Sequence, residues 1–184
     1  RAYAPPPEKT QLIPSGFVTA RVREPCDAGW LRCEFGLTTR YIVGMVATFS
    51  DFKDHPTFIR AAELVLARRD DVTFVMIGGG STMQTCEALI APSLVSRIRI
   101  LGRVAGPIEQ VVTAFDIGAL ATFTEGRSNS IVESMMLGKP VVATGGGGQA
   151  APLAEGVTGC RVSAGEPAAL GERWLLRPAV DRTR

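Results

Sequence analysis

Two acids stand eight residues apart in the stretch "FTEGRSNSIVESMMLGKPVVAT" (123–144): Glu125 before a small polar run, and Glu133 within the apolar segment that follows it. Ser128, Asn129 or Ser130 can cap a helix starting there, so its first amides and the positive end of its dipole would face outward as an anion site. Carboxylates only accept hydrogen bonds. A pair of them beside an anion site suits a ligand that carries both phosphate and many hydroxyls. Taken singly, Glu133 fits equally well a surface position that complements the helix dipole.

Other loops carry weaker signals. Lys53 in "ATFSDFKDHP" precedes a helix, where an ammonium can reach a phosphate as a mobile point charge or simply face solvent. "MIGGGSTMQ" places Gly78, Gly79 and Gly80 between a strand and a helix, which permits close backbone approach of a ligand and serves a tight turn equally well. A dinucleotide fingerprint would need glycine where Met83 stands, and would follow the first strand, not the second. "TGGGGQAAP" (144–152) can wrap a ligand or act as a linker.

These loops need a frame that brings them to one edge. The runs "YIVGMVA" (41–47), "VTFVMIG" (72–78), "RIRIL" (97–101), "IGALAT" (117–122) and "VVAT" (141–144) are apolar and β-branched without clean alternation, as strands buried on both faces are. Helical stretches lie between them at 55–69, 82–94, 107–115 and 128–137, with a last one after Gly165. The first has a proline near its start and an apolar stripe at 58, 61, 62, 65 and 66. Alternation of this kind predicts right-handed βαβ crossovers and an α/β, doubly wound parallel sheet, Rossmann-like, with ligands at the carboxyl edge of the strands. Residues 1–40 read as an irregular lead-in with a short helix at "GWLRCEFGL", residues 41–175 as the α/β domain, and 176–184 as a frayed tail.

Bulk properties narrow the field. The chain has 184 residues, 46% hydrophobic and 21% charged, as expected of one globular domain. A net charge of +2 without a basic, aromatic-rich patch argues against nucleic acid. Cys26, Cys33, Cys86 and Cys160 form no C-x-x-C, and His55 is the single histidine, so a zinc site is not expected and the thiols read as free, in a reducing compartment. No apolar run reaches bilayer length and the first residues lack a signal-peptide core, which together lead to a cytoplasmic expectation.

Taken as an ordered set, "VGMVATFSDFKDHPTFIRAAELV", "FVMIGGG", "RIRILGRV", "DIGALATFTEGRSNSIVESMMLGKPVVAT" and "EGVTGCRV" resemble the successive blocks of retaining GT-B glycosyltransferases of the family 4 (group 1) type, over roughly residues 10–175. The E-x7-E spacing makes the set specific. The resemblance implies the C-terminal, donor-binding half of a GT-B fold and transfer of a hexosyl unit from a nucleoside diphosphate sugar with retention. It implies no cofactor and no obligatory metal, in keeping with the lack of an Asp-x-Asp motif.

By resemblance, Glu125 contacts donor-sugar hydroxyls, with the backbone of Gly126, Arg127, Ser128 and Asn129 near sugar and diphosphate and Ser130 in the same helix start. Glu133 holds the ribose hydroxyls, and Lys53 neutralises the diphosphate and stabilises the leaving group. Gly78 and Gly80 admit the nucleotide, and Arg103 and Val104 lie along the base. The implied partners are the nucleotide-sugar donor, a preceding N-terminal acceptor domain and, through that domain, a membrane surface met peripherally.

Three positions depart from the pattern. Thr48 stands where relatives carry a basic residue, Arg127 where an apolar one is usual, and "QAAP" where a glutamate often follows the last glycine loop. Losing one cation from a diphosphate site costs about 1.5–3 kcal/mol. Two other readings follow: a degenerate, non-catalytic nucleotide-binding module, and one half of a GT-B sugar-nucleotide epimerase or hydrolase. A dinucleotide oxidoreductase fits poorly because of the glycine spacing.

Overall fold

The computed structural model describes residues 26–124, 128–145 and 153–175, together with Gln11 and Gly16. Six parallel strands form one sheet: β1 (Tyr41–Val46), β2 (Val72–Ile77), β3 (Ile98–Gly102), β4 (Ile117–Leu120), β5 (Val141–Thr144) and β6 (Gly159–Val162), in the order β3-β2-β1-β4-β5-β6. This is a Rossmann-like doubly wound sheet, and the winding reverses between β1 and β4. Ligands of such sheets enter the crevice outside the carboxyl ends at that reversal.

The expected strands are present, and β6 is an addition. It pairs with β5 from Val141↔Gly159 to Thr144↔Val162. Four residues with the exposed Arg161 among them give too short and too mixed a run to stand out in sequence.

Helices α1 (Trp30–Phe35), α2 (His55–Leu66), α3 (Met83–Leu89), α4 (Ile108–Thr113), α5 (Asn129–Met136) and α6 (Pro167–Leu175) cover the sheet. On one face α2 and α6 pack together, and Phe58, Phe74 and Trp174 form an aromatic cluster with centroids 5.1–6.0 Å apart. The other face carries α1 and α4, with Leu31, Ile42, Val75, Ile77, Val112 and Phe115 buried between layers. Leu31 and Leu37 lie within the expected lead-in yet belong to this core, so packing begins well before β1.

The stretch 82–94 is not one helix. It ends at Leu89, turns extended at Ile90 and Ala91, and resumes as a single 3-10 turn at Pro92–Leu94. Pro92 is the reason, because the residue before a proline is pushed out of the helical region.

Candidate functional site

Beyond β1 and β2 the backbone keeps pairing into the loops: Ala47 donates to the Ile77 carbonyl (3.0 Å), Phe49 to Gly79 (3.2 Å), and Gly78 to Gly102 (2.8 Å). Gly78 and Gly80 make this approach feasible. A Cβ at either would lie 2.0 Å from the carbonyl oxygen of Ala47 or Phe49, and Gly78 has φ 145°. The glycines therefore have a demanding structural role at the rim, whatever ligand they also admit. Arg103 is exposed, with its Nε 3.1 Å from where a Cβ on Gly79 would be, so the side chain leans over the glycine loop. Val104 is half-buried against the core that contains Leu31.

After β1 the chain crosses the rim and returns. Residues 52–54 run antiparallel to 121–123: Asp54 donates to the Ala121 carbonyl (3.0 Å), Phe123 donates to Phe52 (3.1 Å), and Lys53 faces Thr122 in an isolated bridge. That pattern is the non-hydrogen-bonded pair, in which opposite side chains are closest. Lys53 thereby reaches the reversal between β1 and β4. It is half-buried, and burial lowers its pKa.

Next to it the start of α2 is built from buried polar groups. Asp54 Oδ1 caps the helix by accepting from the Thr57 amide (3.1 Å). His55 stacks on Phe49 with ring centroids 3.9 Å apart, and its Nδ1 lies 3.4 Å from the Lys53 carbonyl. Burial drives its pKa down to about 4, so the ring is neutral at pH 7. Asp54 Oδ2 and His55 Nε2 have no hydrogen-bond partner among the described residues.

On the other side of the reversal lies α5. Gly118 on β4 lets it sit low: a Cβ there would be 2.7 Å from Ser134 Oγ, which itself bonds the Ser130 carbonyl (2.8 Å). Ser128 takes the N-cap position in extended conformation, but its hydroxyl pairs with Ser130 Oγ (3.0 Å) and not with an amide. The first turn of α5 thus has a serine at its cap that does not cap it, and a helix start of this kind is where an anion can bind. Glu133 is half-buried on this helix. Desolvation raises its pKa, and the negative charge of Glu109 raises it further.

Of the residues singled out from sequence, Lys53, Ser128, Asn129, Ser130 and Glu133 flank the reversal, and Gly78, Gly80, Arg103 and Val104 line the neighbouring loops. Glu125, Gly126 and Arg127 lie outside the described residues. Sequence reasoning passed over Thr122, Thr144, Asp54 and Glu109. For Asp54 the signal was available as an Asp-x-Pro helix start; for the threonines and Glu109 no local pattern marks them.

Among the described residues, no helix is long and apolar enough to cross a membrane. A lysine and an uncapped helix start on opposite banks of a sheet reversal, with a half-buried carboxylate on that helix, can hold a diphosphate and a neighbouring diol.

Comparison with known proteins shows the family. The family model described as glycosyl transferases group 1 matches residues 40–175. A D-inositol 3-phosphate glycosyltransferase from Actinosynnema mirum is 31% identical over 173 residues, covering 88% of this chain and 41% of that protein. The 2-deoxystreptamine glucosyltransferase of Streptomyces kanamyceticus is 33% identical over 129 residues, 67% of this chain and 33% of that protein. The chain thus spans less than half the length of these curated relatives. The Anabaena protein HepE, solved in complex with UDP and glucose, superposes with a TM-score of 0.79 at 29% identity over 90% of this chain and 46% of that one. A Francisella tularensis structure, the C-terminal domain of a group 1 family glycosyl transferase, superposes at 0.75 with 20% identity, over 88% of this chain and 87% of that one, and shows the shared fold.

Proposed function

This chain belongs to the group 1 glycosyltransferases, and on that premise we propose that its rim binds a UDP-linked hexose as the donor half of a retaining glycosyltransferase. HepE, at 29% identity, has been solved with UDP and with UDP-glucose, which supports uracil as the base. The observation that carries the reading is the placement of Lys53 and the start of α5 on the two sides of the β1/β4 reversal.

In the proposed reaction the bond between the anomeric carbon and the β-phosphate oxygen breaks, a bond from that carbon to an acceptor hydroxyl oxygen forms on the same face, the hydroxyl proton passes to the departing diphosphate, and UDP leaves. Negative charge grows on the departing diphosphate. Lys53 and the amides of Asn129 and Ser130 meet it, supplying the electrostatic stabilisation that a metal supplies elsewhere, so no metal is required. Lowered solvation of Lys53 makes its charge worth more to a phosphate than that of a solvated lysine. Glu133 accepts from the ribose hydroxyls and Glu125 from the sugar, while Gly78, Gly80, Arg103 and Val104 border the base. The acceptor is held by a further domain, so this half alone binds donor without turning it over.

A second reading has one observation in its favour. Thr48 is exposed on the loop after β1, where the family pattern has a cation. A module that binds nucleotide weakly and catalyses nothing would tolerate that loss.

Calorimetry with UDP, UDP-glucose and uridine separates the two. The donor-half reading expects UDP to bind at least tenfold more tightly than uridine, since the phosphates carry the electrostatic share. Equal affinities would leave the rim without a diphosphate function.

A further inference from the structure

The segment that carries Lys53 is tied to the end of β4 through two threonine hydroxyls that the sequence patterns do not mark. Thr122 and Thr144 are both fully buried. The β4–β5 ladder ends at Leu120↔Ala143, and one step later a side chain takes over the pairing. The Thr122 amide donates to Thr144 Oγ1 (2.8 Å), and the Thr144 hydroxyl donates back to the Thr122 carbonyl (3.1 Å). Both backbone groups of Thr122 are thereby satisfied by one hydroxyl from β5.

The Thr122 side chain continues the relay. Its hydroxyl lies 2.9 Å from the Phe52 carbonyl and 3.0 Å from the Thr124 carbonyl, either of which it can donate to. Phe52 precedes Lys53, and Thr124 precedes the loop that carries Glu125. One hydroxyl therefore couples the lysine segment to the acidic loop, and Thr144 fixes that hydroxyl to the sheet just before the last glycine loop.

We infer that the Thr144–Thr122 hydroxyl relay is a positioning device for donor binding: it sets where Lys53 stands over the β1/β4 reversal, and neither threonine touches the ligand. This inference rests on the donor-half reading above. Its chemistry is simple. A flexible ammonium stem contributes to a diphosphate site only if its root is fixed, and a buried hydroxyl between two carbonyls fixes it without adding charge.

The test uses the 184-residue chain with UDP and uridine as probes, at a temperature well below the unfolding midpoint of every variant. Thr122→Val keeps the shape and removes the donor, whereas Thr122→Ser keeps the donor. Thr144→Val removes the group that satisfies both backbone atoms of Thr122. The expected result is a roughly tenfold loss of UDP affinity in both valine variants, with uridine changed by less than about twofold and Thr122→Ser close to wild type. Amide exchange at Asp54 and Phe123 should quicken in Thr122→Val and not in Thr122→Ser.

A role confined to stability would lower the melting temperature and leave the UDP-to-uridine ratio unchanged, which would overturn the inference. Loss of the ratio in the serine variant as well would overturn it too. If the wild-type chain itself binds UDP no better than uridine, the donor-half reading fails and takes the relay's role with it. If wild type discriminates and the valine variants do so equally, the relay alone is refuted.

Discussion

Lys53 faces Thr122 across an antiparallel bridge at the point where the parallel sheet reverses its winding. A residue that follows β1 is thus fixed to the end of β4, the strand whose loop leads to Glu125 and then to α5. The bridge joins two segments far apart in sequence at the carboxyl edge of the sheet.

Removing the ammonium tests the electrostatic half of the account. Lys53→Ala should weaken UDP binding by about 1.5–3 kcal/mol, roughly 10- to 150-fold, and leave uridine binding within about twofold. Calorimetry on folded variant provides both numbers. A parallel loss for uridine would mean that Lys53 supports the fold more than the phosphates.

Adding a cation should work in the opposite direction. Thr48→Arg places a guanidinium on the exposed loop after β1, where the resemblance implies a basic residue. UDP affinity should rise by roughly tenfold, with the gain shrinking as salt is added. No gain at low salt would show that this loop does not border the diphosphate.

Glu133 should make donor binding sensitive to acid. Burial and Glu109 raise its pKa above the ordinary 4.5, so the carboxylate begins to protonate, and loses acceptor capacity, at a higher pH than an exposed glutamate. Uridine and UDP affinities should therefore fall together as pH drops toward that range. Glu133→Gln should bind both weakly, with the pH dependence gone. A variant that keeps the wild-type acid profile would assign the titration to another group.

His55 makes stability itself pH-dependent. Its folded value of about 4 lies below the ordinary 6.5, so between the two the unfolded chain binds the proton more readily. This contribution is fully present above pH 6.5 and is lost as pH falls toward 4, amounting to ~3 kcal/mol. Glu133, with its raised value, acts in the opposite direction, so the useful quantity is the difference between wild type and His55→Phe, which keeps an aromatic ring for the stack on Phe49. Denaturant melts from pH 7 to pH 4 should show a steeper decline for wild type; parallel curves would contradict a buried neutral imidazole.

The glycine loop gives a prediction about packing. Gly78→Ala forces a Cβ to within 2.0 Å of the Ala47 carbonyl oxygen at φ 145°. Overpacking and backbone strain together should cost at least about 2 kcal/mol. For a domain of this size that corresponds to a drop of roughly 4–8 °C in Tm. An unchanged Tm would mean that the loops after β1 and β2 are not in contact.

Much of this architecture is legible because it is written in local periodicity. The β-branched runs at 41, 72, 97, 117 and 141 announce buried parallel strands, and the stripe through Phe58, Ala61, Ala62 and Val65 announces the face that α2 buries. β6 escapes because four residues with Arg161 among them carry no run. The break after α3 was foreseeable from Pro92 alone.

The site is less legible because its geometry is made by returns and close approaches. Ser128 is recognisable as an N-cap from its residue type, but nothing in that type announces that its hydroxyl pairs with Ser130. Lys53 is conspicuous in sequence only as a lysine before a helix. Its partner Thr122 lies 69 positions later, and of the hydrogen bonds that join 52–54 to 121–123 two are backbone bonds, blind to residue type, while the third comes from a threonine hydroxyl that no local pattern marks. Glu109 becomes relevant to Glu133 only when α4 and α5 lie side by side.

The most direct test of the donor site is a map of where UDP lands. With backbone amides of the chain assigned by NMR, titration with UDP should shift the resonances of Lys53, Gly78 to Gly80, Arg103, Val104 and the first turns of α5 together, with one dissociation constant. Shifts confined to the far side of the sheet beyond β6, around Arg161 and Glu166, or no shifts at millimolar UDP, would contradict the account.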